Sequence, residues 1–126
     1  MTHEFLSDDW FEAVQGLLEQ GPPALPEALA DVVVNVTVDD VGVEATYRGC
    51  WFEPGHSPDA TARLHTTREL AYEVMVKKNM ALGMRALATG KARLAGERAK
   101  LMRLRATRPS PDQEVFEQRV RDMTTL

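Results

Sequence analysis

The sequence predicts an α+β fold, in which a mostly antiparallel sheet of five strands, or four, carries helices on one face. Three observations carry this reading. Apolar residues recur at helical spacing over residues 8–20, switch to strict alternation from residue 31, and return to helical spacing after residue 66. The alternating segments follow one another through short links, as antiparallel strands do. Finally, 126 residues with 44% hydrophobic content suit one layered core, so residues 1–126 are expected to form a single domain.

The elements follow in order. Ser7 stands at an N-cap position, with Asp8 and Asp9 in the first turn, where carboxylates complement the helix dipole. Phe11, Val14, Leu17 and Leu18 then mark the apolar side of a helix over about Asp8 to Gln20. Gly21-Pro22-Pro23 stops it, and Pro26 opens a short second helix through Leu29. From Asp31 the period is two: Val32, Val34, Val36 and Val38 share one face, opposite Val33, Asn35, Thr37 and Asp39. Asp39, Asp40 and Gly42 supply a turn, and Val43, Ala45, Tyr47, Gly49 and Trp51 continue the alternation on a second strand. Ala60 to His65 gives a third, so the three form an antiparallel meander.

Thr66-Thr67-Arg68-Glu69 reads as a capping box, with Thr66 as N-cap and Glu69 at N3. Leu70, Ala71, Val74 and Met75 stripe the helix that follows. Asn79 interrupts it, and Met80 to Ala88 is a second, strongly apolar helix that should be buried on most sides and end near Gly90. Lys91 to Ala95 is short and alternating, as an edge strand is. Glu97 to Thr107 is a basic helix with Leu101 and Leu104 inward. Ser110-Pro111-Asp112-Gln113 opens the last helix, whose apolar side is Val115, Phe116, Val120 and Met123.

Composition excludes several classes. The single Cys50 rules out an internal disulfide framework and a CxxC-type metal or redox site. No apolar run reaches the ~18 residues a membrane span needs, and Met1 to Trp10 has no basic segment followed by an apolar one, so a cytoplasmic protein is expected. The net charge of −4 conceals an asymmetry: residues 1–60 hold twelve carboxylates and one Arg, whereas residues 61–126 hold fourteen Lys or Arg and seven carboxylates. Such a split fits either a basic binding face or two halves that attract each other.

At this point the arrangement resembles a known family, the sterol carrier protein-2 or sterol-transfer domain. The resemblance rests on Phe5-Leu6-Ser7-Asp8-Asp9-Trp10-Phe11 opening the first helix, on the valine strand with its hairpin, and on Ala86-Leu87-Ala88-Thr89-Gly90-Lys91-Ala92-Arg93-Leu94-Ala95-Gly96-Glu97. The last segment is similar to the family's run of helix, Gly-Lys, short strand, glycine and acid. Where the family usually carries bulky aromatics before the Gly-Lys pair, this chain has Ala86-Leu87-Ala88. The resemblance implies an apolar tunnel between sheet and helices that carries a sterol, fatty acid, acyl-CoA or other lipid-like metabolite, with no catalytic residues and no cofactor. On that reading the ligand is held by Val34, Val36, Trp51, Met75, Met80, Met84, Leu87, Leu101, Leu104, Phe116 and Met123. Methionines suit such a site because unbranched thioethers adapt to the ligand, although the same spacing also describes ordinary core.

Other chemistries find less support. His3, His56 and His65 have no partner at ligand spacing, so no metal site is expected. No serine has a nucleophile-elbow context, and Asp39 and Asp40 read as turn residues. An enzyme reading, cyclisation or isomerisation of a hydrophobic metabolite, would use His65 or an acid such as Asp40 as proton carrier. Between Lys77 and Arg108 ten basic residues face one acid, Glu97. No nucleic-acid motif accompanies them, so no nucleic acid is expected, and a solvated face, an acidic membrane surface, the phosphates of an acyl-CoA or an acidic partner protein are the readings that remain. Oligomeric state is not encoded in any of these patterns.

Overall fold

The centre of the molecule is the valine strand, and the rest of the fold is explained by what covers its buried face. A computed structural model describes residues 1–126. In chain order the elements are β1 (His3–Glu4), α1 (Asp8–Glu19), α2 (Glu27–Ala30), β2 (Val33–Val38), β3 (Val43–Arg48), β4 (Trp51–Pro54), β5 (Ala62–Thr66), α3 (Arg68–Ala71), α4 (Met80–Thr89), β6 (Arg93–Gly96), α5 (Arg98–Ala106), α6 (Pro111–Asp122) and β7 (Thr124–Thr125). The main sheet has the order β4-β3-β2-β5-β6, and three of its four pairings are antiparallel. The expected α+β class, five strands and single edge strand after α4 are all present.

The meander is corrected in two places. The expected second strand breaks at Gly49-Cys50, and β4 turns back along β3. Gly49 explains the break: its φ is +74°, and a Cβ there would lie 2.8 Å from the Leu29 carbonyl oxygen, so only glycine allows this approach. The third strand, β5, does not extend the meander. It crosses to the other side of β2 and pairs with it in parallel, Val36 opposite Leu64. Sequential order suggested antiparallel neighbours, but the loop over residues 55–61 is long enough for a crossover. That loop is held against the polar sheet face: Asn35 Oδ1 accepts from the Ser57 amide at 2.8 Å, and Thr46 Oγ1 donates to the Gly55 carbonyl at 2.7 Å.

Alternation then sorts the faces. Val34, Val36, Val38, Ala45, Tyr47, Phe52, Ala62 and Leu64 are buried together with the helices. Over β4 and β3 the filling is aromatic: Phe5 and Trp10 pack edge to face at 5.0 Å, and Tyr47 and Phe52 do the same. Trp10 also donates from Nε1 to Thr124 Oγ1 at 2.9 Å, while β1 and β7 pair in parallel. This small second sheet has no signature in the sequence.

Local signals placed most helices. Ser7, Asn79 and Ser110 cap α1, α4 and α6 through their side chains, and Gly90 ends α4 at φ +77°. The capping box is displaced by one residue: Thr67, not Thr66, accepts from the Leu70 amide, because Thr66 still belongs to β5. Val115 is also corrected, being 57% exposed on the outer side of α6.

Candidate functional site

Between α3 and α4 the chain does something that propensity does not foretell. Tyr72–Val76 forms one wider π turn, with the Lys77 amide bonded to the Tyr72 carbonyl, and Lys78 follows in the left-handed region at φ +62°. A non-glycine residue there stores backbone strain, and both features concentrate at functional positions. Their effect is to swing α4 back beside the turn, where Gly83 lets it approach Val74: a Cβ at residue 83 would lie 3.1 Å from Val74 Cγ1.

Under α4 and α5 lies a cavity of about 70 Å³. Its floor comes from the sheet, through Tyr47, Leu64 and Thr66, and its walls from Leu70, Ala71, Val74 and Met75. Met80, Met84, Ala86, Leu87, Leu101, Met102 and Leu104 close it from α4 and α5, and Arg105 is the only charged lining residue. The expectation that α4 is buried on most sides is corrected. Only Ala86 is fully buried; Met80, Leu82, Met84 and Leu87 are half-buried, and Ala81 and Ala88 face out. An apolar helix is left partly open because it roofs a cavity instead of a packed core.

Of the eleven residues expected at a ligand site, Met75, Met80, Met84, Leu87, Leu101 and Leu104 line this cavity. The other five lie elsewhere. Val34 and Val36 are fully buried in the close-packed core, Trp51 and Phe116 pack on each other with ring centroids 6.3 Å apart, and Met123 caps the end of α6. Periodicity identified the inward side of each element but not which part of the interior it meets. Tyr47, Leu64 and Thr66 are lining residues that the site expectation lacked. Alternation does place Tyr47 on the buried face, opposite Val34.

A polar cluster adjoins the cavity. The Lys78 ammonium donates to the Tyr47 hydroxyl at 2.8 Å and forms an ion pair with Glu117 Oε2. Glu117 is only 7% exposed, and Lys78 is its one partner at that oxygen. Desolvation works to lower the Lys78 pKa, but Tyr47 and Glu117 outweigh it and hold the ammonium above its ordinary value. Burial pushes the Tyr47 hydroxyl up, with Lys78 opposing in part. Burial likewise pushes the nearby Cys50 thiol up to about 12, with the Glu117 charge adding to it. Both Tyr47 and Cys50 are therefore neutral at physiological pH.

The groups proposed for proton transfer do not reach the cavity. His65 alternates with the lining residues Leu64 and Thr66, so it faces the other side of the sheet, 3.1 Å from Asp39. Asp40 accepts the Arg68 amide at 2.9 Å and so serves the start of α3. No group of His, Cys, Asp and Glu is arranged to hold a metal ion. The charge asymmetry is partly internal: Asp31 pairs with Arg103 and Lys100 of α5, Glu4 with Arg68, and Asp39 with Arg93.

No protein-family model matches the chain, and no curated protein matches it in sequence. Solved structures do match. The fold is that of an SCP2-like α+β domain, as the following neighbour shows. A structure described as "UbiJ-SCP2 Ubiquinone synthesis protein" aligns over 89% of this chain and 84% of its own, with TM-score 0.50 and 10% identity. A second match, at TM-score 0.50 and 17% identity, is the stereoselective inverting sec-alkylsulfatase Pisa1 from Pseudomonas sp.. It covers 68% of this chain, which spans only 14% of the alkylsulfatase.

Proposed function

We propose that the chain is a single lipid-binding domain that takes up and carries a hydrophobic ligand, such as a sterol, fatty acid, acyl-CoA or related metabolite, without transforming it. The observation that carries this reading is the cavity itself. It lies between a sheet and an incompletely buried apolar helix, and 14 of its 17 lining residues are hydrophobic, a composition suited to gripping apolar surface. The SCP2-like architecture of the fold neighbour supports it. At about 70 Å³ the cavity is well below the roughly 300–1,000 Å³ usual for ligand pockets, so a lipid must widen it. Met75, Met80, Met84 and Met102 provide the means, since each rotates about three bonds at little cost. The carrier operates in the cytoplasm on this reading; no helix is long and apolar enough to cross a membrane. The basic residues of α5 that make no ion pair, Arg98 and Arg105, then favour transient contact with an acidic membrane surface or acidic partner protein.

Native mass spectrometry with solvent extraction tests the proposal by identifying any lipid that copurifies, alongside uptake of fluorescent fatty acids and sterols. Ala86→Trp fills the cavity from α4, where Ala86 is 3% exposed. It is expected to reduce lipid capacity at least tenfold while far-UV circular dichroism stays unchanged. Undiminished uptake in a folded Ala86→Trp protein would place the ligand elsewhere and overturn the assignment.

A further inference from the structure

A second pocket, of about 170 Å³, opens on the far side of Met80, Leu104 and Arg105, three residues it shares with the apolar cavity. Its character is different. Lys78, Gln113 and Glu117 line it, together with Leu29, Gly49 and Thr107. Gln113 is 4% exposed, and its Oε1 is buried with no hydrogen-bond partner. A buried carbonyl oxygen without a donor costs stability, so its retention calls for an occupant. In the same wall Lys78 directs its ammonium to Tyr47 and Glu117, two partners for three N–H groups, which leaves one donor for an occupant. The pocket thus presents one open acceptor and one open donor beside an ion pair, and it meets the apolar cavity at Met80, Leu104 and Arg105.

We propose that this pocket is a head-group subsite that takes the hydroxyl end of an uncharged amphiphile whose apolar body occupies the methionine-lined cavity. The inference rests on the carrier reading above and narrows its ligand class. A hydroxyl both donates and accepts, which matches the open acceptor of Gln113 and the remaining donor of Lys78, both in the pocket wall. A carboxylate matches less well, because it cannot donate to Gln113 Oε1 and would stand beside the buried Glu117 carboxylate, which already neutralises Lys78. Arg105 is exposed at the rim, where water and salt screen its attraction for an anion. Met80 and Leu104 separate the two spaces, and rotation of the Met80 side chain joins them. The strained backbone at Lys78 acquires a purpose here, since it delivers the ammonium to the pocket wall.

The test is displacement of diphenylhexatriene, a wholly apolar fluorophore, by dodecan-1-ol, dodecanoate and dodecane. In the wild-type protein dodecan-1-ol is expected to displace the dye at about tenfold lower concentration than either other compound, the effect of one or two added hydrogen bonds. Gln113→Leu should raise the dodecan-1-ol requirement about fivefold to tenfold and leave that of dodecane unchanged. Gln113→Met, closer in shape, provides the same comparison if the leucine variant folds poorly. Dodecanoate binding best would overturn the proposal in favour of an anionic head on Arg105. Equal displacement by all three would overturn it by showing that no head-group contact exists, while leaving the carrier reading intact. Failure of the dye and of dodecane to bind at all would instead overturn the carrier reading, and this inference with it.

Discussion

Replacing Lys78 with methionine isolates the buried ion pair, because most other terms cancel. Methionine has similar length, and it carries the same left-handed backbone penalty that lysine already bears at φ +62°. What changes most is Glu117, left with a carboxylate that is 7% exposed and has lost its partner, while the buried Tyr47 hydroxyl loses the Lys78 hydrogen bond. Removing one member of such a pair costs about 3–5 kcal/mol. The expected loss at pH 7 is of that size, about 3–5 kcal/mol. Against a usual domain stability of about 5–15 kcal/mol, the variant should still fold. Urea unfolding followed by tryptophan fluorescence measures it, with Lys78→Met/Glu117→Leu closing the cycle and recovering most of the loss. A single-variant loss below about 1 kcal/mol at pH 7, with no recovery in the double variant, would refute the burial argument.

Two further outcomes separate structural causes. Gly96 and Gly55 both have positive φ, +89° and +80°, but a Cβ at Gly96 would lie 2.4 Å from the Thr61 carbonyl oxygen, whereas at Gly55 it meets open space. Gly55→Ala should cost about 1–2 kcal/mol and Gly96→Ala clearly more, and equal thermal shifts would show that the β5–β6 approach is soft. For Cys50, a pKa of about 12 leaves roughly one thiolate in ten thousand at pH 8, against one in ten at the ordinary value of 9.0. Aromatic disulfide reagents should modify it only as fast as the chain unfolds, and rapid labelling of the native protein would contradict its burial. The same shift makes the folded state hold a proton that the unfolded chain releases, so stability should fall as pH rises from about 9 towards 12. Tyr47 and Lys78, both held above their ordinary values, act in the same direction.

Much of the fold was legible because its signals are local. Ser7, Asn79 and Ser110 each announce a helix through one side chain and one amide, and the valine strand's alternation needs only the pleat. What escaped depends on distant residues. The break at Gly49 is set by the Leu29 carbonyl, and the parallel placement of β5 by the space left beside β2. The site divides in the same way. The methionines of α4 and the preceding turn were recognisable as adaptable, but Val36 and Met75 look equally apolar in sequence, and only packing leaves space beside one of them. The Lys78 cluster was invisible, since a lysine in a basic stretch gives no hint that it turns inward to meet a tyrosine and a glutamate from two other elements.

The clasp between the two ends of the chain bears on the order of events in folding. His3 lies opposite Thr124, and the Phe5 amide bonds the Thr125 carbonyl at 2.8 Å, so the contact encloses nearly the whole chain. Bringing such distant points together costs about 4 kcal/mol by the logarithmic loop rule, more than two residue pairs return on their own. The clasp is therefore not a nucleus: it closes once collapse of the interior has already brought Trp10 beneath the sheet, and it acts as a latch whose engagement marks completion.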